Sequence, residues 1–88
     1  MTTQRLTVLK QAMEAIDGQR DLEYGSPEDN FERIAVFWQQ YTGHIFTGHD
    51  VAVMMILLKV SRLMNNPAVM DNWVDIAGYA ACGAEVSK

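Results

Sequence analysis

The sequence predicts an all-α protein: a four-helix, bundle-like domain filling residues 1–88 and packing as a homo-oligomer. Three observations carry this expectation. Apolar residues recur at three- and four-residue spacing. The stretches "SPED" and "TGHD" set capping residues ahead of two apolar segments. The β-branched run from Val51 has no second strand-like run to pair with. The oligomer follows from composition. A chain this short buries only about two thirds of its unfolded surface, yet 49% of its residues are apolar, including six Met and two Trp. That is more than a lone small bundle hides easily.

The first helix is predicted from about Thr3 to Asp21, with Leu6, Leu9, Met13 and Ile16 as its apolar stripe. Gly18 weakens its end and "EYGSPED" breaks it. The second begins after Ser26 as cap, with Pro27 at the first helical position and acids at the positive dipole end. Phe31, Ile34, Ala35, Trp38 and Tyr41 form its stripe, and "YTGHIF" ends it. The third opens at Thr47, with Asp50 three residues on as a capping-box variant. Its segment "VAVMMILLKVSRL" is apolar nearly all round, which predicts the buried central helix. "MNNPAVM" closes it. The fourth starts at Asn66-Pro67 or near Met70 and runs to about Val86. Trp73, Ile76, Ala77, Ala80 and Ala84 form its stripe, and Gly78 and Gly83 thin its middle for close helix approach.

Charge and cysteine usage narrow the function classes. A net charge of −4, with the cations scattered, argues against a DNA or RNA polymer as partner. Free nucleotides stay open, since a metal ion can bridge phosphate to carboxylate. The lone Cys82 cannot form an intramolecular disulfide and reads as a small buried residue in a reducing compartment. The N-terminus lacks the apolar core of a signal peptide. The longest apolar run, residues 51–58, falls far short of the roughly 20 residues a bilayer span needs. The expectation is a cytoplasmic protein without membrane partners.

Asp71 and Asp75 stand four apart on one helical face, with Asn72 beside them and Tyr79 one turn on. Two carboxylates at this spacing suit Mg²⁺, which keeps waters for phosphate to replace; they equally suit the positive end of a helix. Lys59 and Arg62 project from the end of the third helix, within reach of those acids across a short turn. They fit phosphate, or simply finish a helix at its negative end. Asp29, Glu32 and Arg33 lie on the outward side of the second helix, as a second acidic pair or a solvated face. Asn30 points nearer the core stripe and so needs polar partners. His44 and His49 have no companions at zinc-ligand spacing beyond Asp50. No Ser–His–Asp pattern or phosphate-cradling Gly-rich loop is present.

The stretches "YGSPEDNFERIAVFW", "DVAVMMILLKVSRL" and "DNWVDIAGYAACGAEV" together resemble a family of small, mostly uncharacterised phage and prophage proteins. That family in turn looks like a minimal relative of the MazG-like, all-α nucleoside triphosphate pyrophosphatases. The resemblance covers roughly residues 20–86. It implies a helical homodimer or homotetramer, with a nucleotide held over Mg²⁺ by carboxylates. The enzymes carry E-x-x-E on one helix and E-x-x-D on a later one. Asp75 matches the final Asp, Asn72 stands where a Glu is expected, and Asp29 and Glu32 keep the earlier spacing with one Asp for Glu. In this reading Asp29, Glu32, Asp71 and Asp75 hold the metal, with Glu32, Asp71 and Asp75 as catalytic groups. Lys59 and Arg62 neutralise phosphate, and Asn30, Trp38, Asn72 and Tyr79 contact the ligand. Mg²⁺-dependent hydrolysis of a triphosphate to monophosphate and pyrophosphate is the leading expectation. The weakened acid pattern also fits a non-catalytic phage protein that sequesters a nucleotide in the host cytoplasm. A third reading is a structural helical oligomer whose polar cluster fixes register.

Overall fold

The computed structural model describes residues 3–87, and over them the chain folds into five α-helices with no sheet. They are α1 (Gln4–Ala15), α2 (Gly18–Tyr24), α3 (Pro27–Thr42), α4 (Gly48–Asn65) and α5 (Met70–Val86). The predicted four-helix bundle is therefore corrected at its first element. The expected helix from Thr3 to Asp21 breaks at Ile16, where Ile16 N still donates to Ala12 O at 3.2 Å. Asp17 then caps a new helix, its carboxylate accepting from Gln19 N at 3.1 Å. A short acid before Gly offers the backbone an alternative to continuing the helix. The following α2 ends at Gly25, whose φ of +84° is open to glycine at no steric cost.

The later helices begin where their caps place them. Ser26 Oγ accepts from Asp29 N at 3.2 Å, with Pro27 in the first turn of α3. Thr47 and Asp50 form a reciprocal capping box on α4: Asp50 N donates to Thr47 Oγ1 at 3.2 Å, and Thr47 N to Asp50 Oδ2 at 2.9 Å. α5 starts at Met70, the later of the two starts the sequence allowed, and has no side-chain cap.

Packing departs from the predicted stripes. α5, not α4, is the central helix, since it lies against α1, α3 and α4. Its buried positions are Asn72, Val74 and Gly78, while Trp73 stays exposed and donates its indole N–H to Pro67 O at 2.9 Å. Of the predicted stripe of Trp73, Ile76, Ala77, Ala80 and Ala84, Ile76 and Ala77 are half-buried while Trp73, Ala80 and Ala84 face outward, because Gly78 lets Ile16 of the neighbouring segment approach the other side. α4 buries Val51, Ala52 and Leu63 but exposes Leu57, Leu58 and Met64. α1 buries Ala12, leaving Leu6, Leu9 and Met13 exposed. The Ile16 methyl lies 3.5 Å from where a Cβ on Gly78 would stand.

Phe31, Ala35, Val51 and Ala52 form the core, flanked by Ile34, Trp38, Phe46, Met55, Tyr79, Cys82 and Val86. Burying a side chain such as Phe31 or Val51 contributes about 1.5–3 kcal/mol each. The predicted homo-oligomer gains no support from this single chain, whose Leu6, Leu9, Met13, Leu57 and Met64 stay exposed. Among the described residues, no helix is long and apolar enough to cross a membrane.

Candidate functional site

The best-formed pocket, about 270 Å³, opens between α2, α3 and α5, with the end of α1 and Met55 of α4 completing its wall. Each helix brings its residues by simple periodicity. On α5, Val74, Gly78 and Cys82 stand at four-residue intervals on one face, with Asp75 and Tyr79 beside them. On α3, the Ser26 cap and Pro27 fix the entry of the chain, which sets Asn30, Phe31 and Ile34 toward the same space. On α2, the Asp17 cap orients Arg20, Asp21 and Tyr24 across the opening.

The lining is apolar with a few polar groups, the usual make-up of a small-molecule site. Phe31 and Tyr79 rings lie 6.3 Å apart, tilted at 37°. At the mouth, the Arg20 guanidinium stands 5.4 Å over the Tyr24 ring, within cation–π range. Asp75 is held by Lys59 Nζ at 3.0 Å from its Oδ2, and the Lys59 side chain is only 12% exposed. Burial pushes the Cys82 thiol above its usual range. Asp21, Glu28 and Glu85 push it further up and Arg20 opposes them. The thiol is therefore neutral near pH 7, and the field at this wall is net negative. A smaller cleft next to the pocket shares Ile16, Asp21, Pro27 and Cys82 and adds Glu28 and Glu85.

Of the residues singled out in the sequence, Asn30, Asp75 and Tyr79 line the pocket, and Lys59 joins them through its ion pair. The others lie elsewhere. Asp29 and Glu32 are exposed on α3, away from the pocket wall. Asp71 and Arg62 are exposed, and Asn72 is buried in α5 outside the lining. Trp38 packs edge-on against Phe46, with ring centroids 5.9 Å apart. Sequence reasoning missed Arg20, Asp21 and Tyr24 because it ran the first helix through Asp17. The available signal was the Asp17-Gly18 pair matched by Gly25, which brackets a short helix of its own.

Among the described residues, no three His, Cys, Asp or Glu side chains come together to hold a metal ion. This overturns the Mg²⁺ site expected from Asp29, Glu32, Asp71 and Asp75. The α3 acids face solvent, and the one acid in the pocket wall that had been predicted, Asp75, is paired with Lys59. Mg²⁺-dependent pyrophosphohydrolysis by Glu32, Asp71 and Asp75 falls with it, since hydrolysis of that kind needs the metal to polarise the phosphoryl oxygen.

A family profile described as a domain of unknown function (DUF6378) matches residues 7–87. "Gene 55 protein" of Mycobacterium phage L5 is 53% identical over 76 residues, which are 85% of this chain and 49% of that protein. "Gene 55 protein" of Mycobacterium phage D29 is 37% identical over 76 residues, 86% of this chain and 50% of that protein. The chain thus spans about half the length of the curated relatives it matches. No solved structure matches. The likeness to phage proteins fits these relatives. The extension to MazG-like pyrophosphatases does not, because the profile covering nearly the whole chain carries no such description.

Proposed function

Since the chain belongs to the DUF6378 family, whose description assigns no activity, we propose that it is a non-catalytic binding protein that captures a nucleotide-type small molecule. The observation that carries this reading is the pocket itself. Tyr24, Phe31 and Tyr79 give it aromatic walls, and Asn30 and Arg20 add directional hydrogen-bonding groups, with no metal-binding cluster among the described residues. Aromatic rings stack on a planar base, and an amide presents both a donor and an acceptor to its edge. A ligand so held is oriented but not attacked: the one thiol in the wall is neutral, and neutral thiols are poor nucleophiles. Capture takes place in the cytoplasm, where free nucleotides are found, and the partner is a small molecule rather than a nucleic-acid polymer.

The test is retention without turnover. The purified protein is incubated with mixed nucleosides and nucleotides, passed over a desalting column and denatured, and the released molecules are identified by mass spectrometry. Intact ligand is expected, reduced at least about tenfold by Tyr79→Ala, the scale of losing one stacking partner. Release of pyrophosphate or another hydrolysis product that is lost in pocket variants would falsify the reading, as would an empty protein.

A further inference from the structure

Resting on that reading, we infer that the ligand is a nucleoside with an amino-bearing base, or its monophosphate, and that the pocket rejects polyphosphates. Charge is the first argument. Two carboxylates, Asp21 and Asp75, line the pocket against one guanidinium, Arg20. Lys59, which reaches this wall through Asp75, is committed to it at 3.0 Å. Beyond Asp21 the neighbouring cleft adds Glu28 and Glu85. A triphosphate tail leaving the pocket toward Asp21 and this cleft meets acids, and among the described residues no metal-binding cluster screens it. Arg20 matches a single phosphate, which it can grip with its planar fork.

Size points the same way. A cavity of about 270 Å³ lies just under the range of about 300–1,000 Å³ usual for drug-sized ligands. A base and its sugar are compatible with that space, and a longer phosphate chain extends past it toward the acids of the neighbouring cleft. Hydrogen-bond inventory then selects the base. Ionised carboxylates only accept, and one oxygen of Asp75, Oδ1, is not the atom Lys59 holds. Asp21 and Asp75 thus put acceptor-only groups in the wall, and a base with an exocyclic amine can donate to them where a second carbonyl cannot. A site built around such a match discriminates strongly against the analogue that lacks it.

The experiment is calorimetric titration at low salt with adenosine, cytidine, uridine, adenosine monophosphate and adenosine triphosphate, each with and without Mg²⁺. Adenosine or cytidine is expected to bind at least about tenfold tighter than uridine. The monophosphate is expected to bind at least about tenfold tighter than the triphosphate, a gap that narrows as salt screens the acids. Asp75→Asn keeps the side-chain size, removes one carboxylate and releases Lys59. It should raise triphosphate affinity by about tenfold while weakening adenosine. Asp21→Asn, on the exposed α2, gives the same direction without touching the ion pair and serves if Asp75→Asn does not fold. Uridine matching both adenosine and cytidine, the triphosphate matching the monophosphate, or unchanged triphosphate affinity in Asp21→Asn overturns the inference and leaves nucleotide capture standing. Binding by none of the five probes overturns both.

Discussion

Lys59 on α4 and Asp75 on α5 form an ion pair of 3.0 Å in which the lysine is nearly enclosed, 12% exposed, while the aspartate is 41% exposed. The asymmetry decides what each partner contributes. Removing Asp75 strands an ammonium in a half-dry setting, whereas removing Lys59 leaves a carboxylate that water can reach. Asp75→Ala is therefore expected to cost about 1–2 kcal/mol, below the figure for a fully buried pair because solvent screens the open side. Lys59→Met should cost less than that. Urea denaturation of the two variants measures both values, and equal losses would show that the pair is solvated on both sides.

The two glycines of α5 that face other helices make opposite predictions. A Cβ on Gly83 would meet the Ala52 Cβ at 3.0 Å, a short side chain on a core helix that cannot swing away. Gly83→Ala should destabilise by about 1–3 kcal/mol, outweighing its gain in helix propensity. A Cβ on Gly78 would meet only Ile16, at 3.5 Å, in ordinary contact. Gly78→Ala should keep most of the roughly 0.8–1 kcal/mol of propensity that alanine brings. Thermal melts that rank Gly78→Ala below Gly83→Ala would contradict this account of how α5 packs.

Cys82 sets the alkaline behaviour of the pocket wall. Burial, followed by Asp21, raises its folded-state pKa above the unfolded one. Between the two values the native chain keeps a proton that the unfolded chain has released. Stability therefore falls as pH rises from the unfolded thiol value, near 8.5, through the folded one. Alkylation by iodoacetamide should be slow at pH 7.5 and should climb with a midpoint above that of free cysteine. Cys82→Ser should remove the thiol's part of the alkaline loss. A midpoint at or below 8.5 would place Cys82 in a different field.

Asp17 holds α2 in place from one end. Asp17→Ala removes the 3.1 Å cap to Gln19 N, worth about 1 kcal/mol to the helix. No residue of α2 is buried, so the loss should stay local. Hydrogen exchange is expected to speed up across residues 18–24 while the melting temperature shifts by no more than about 2 °C. Faster exchange spreading into α3 or α5 would mean that α2 supports the core.

Helix existence was legible wherever a cap and a periodic apolar run agreed. Ser26 with Pro27, and Thr47 with Asp50, place the starts of α3 and α4 by local chemistry alone. The Asp17 cap is masked in the sequence, because Ile16 completes a regular spacing with Met13 and the pattern runs on through it. Which face turns inward was harder to read. On α5 the bulkiest residue, Trp73, points to the core, yet it stays exposed while Val74 and Gly78 are buried, with Ile16 close over Gly78. The site was half legible for a related reason. Asn30, Asp75 and Tyr79 sit on inward or lateral faces that periodicity reveals. Whether the acids of two helices converge depends on helix rotation, which spacing within one helix does not report.

The bracketing of α2 by Gly18 and Gly25 separates two selective pressures that most pockets combine. Arg20, Asp21 and Tyr24 shape the mouth, yet none of them is buried and none belongs to the cluster built on Phe31, Ala35, Val51 and Ala52. Mutations in this seven-residue segment can therefore change which molecule is admitted while the fold's hydrophobic interior stays untouched. Where a ligand changes faster than a scaffold can, residues 18–24 are where this architecture can drift to follow it.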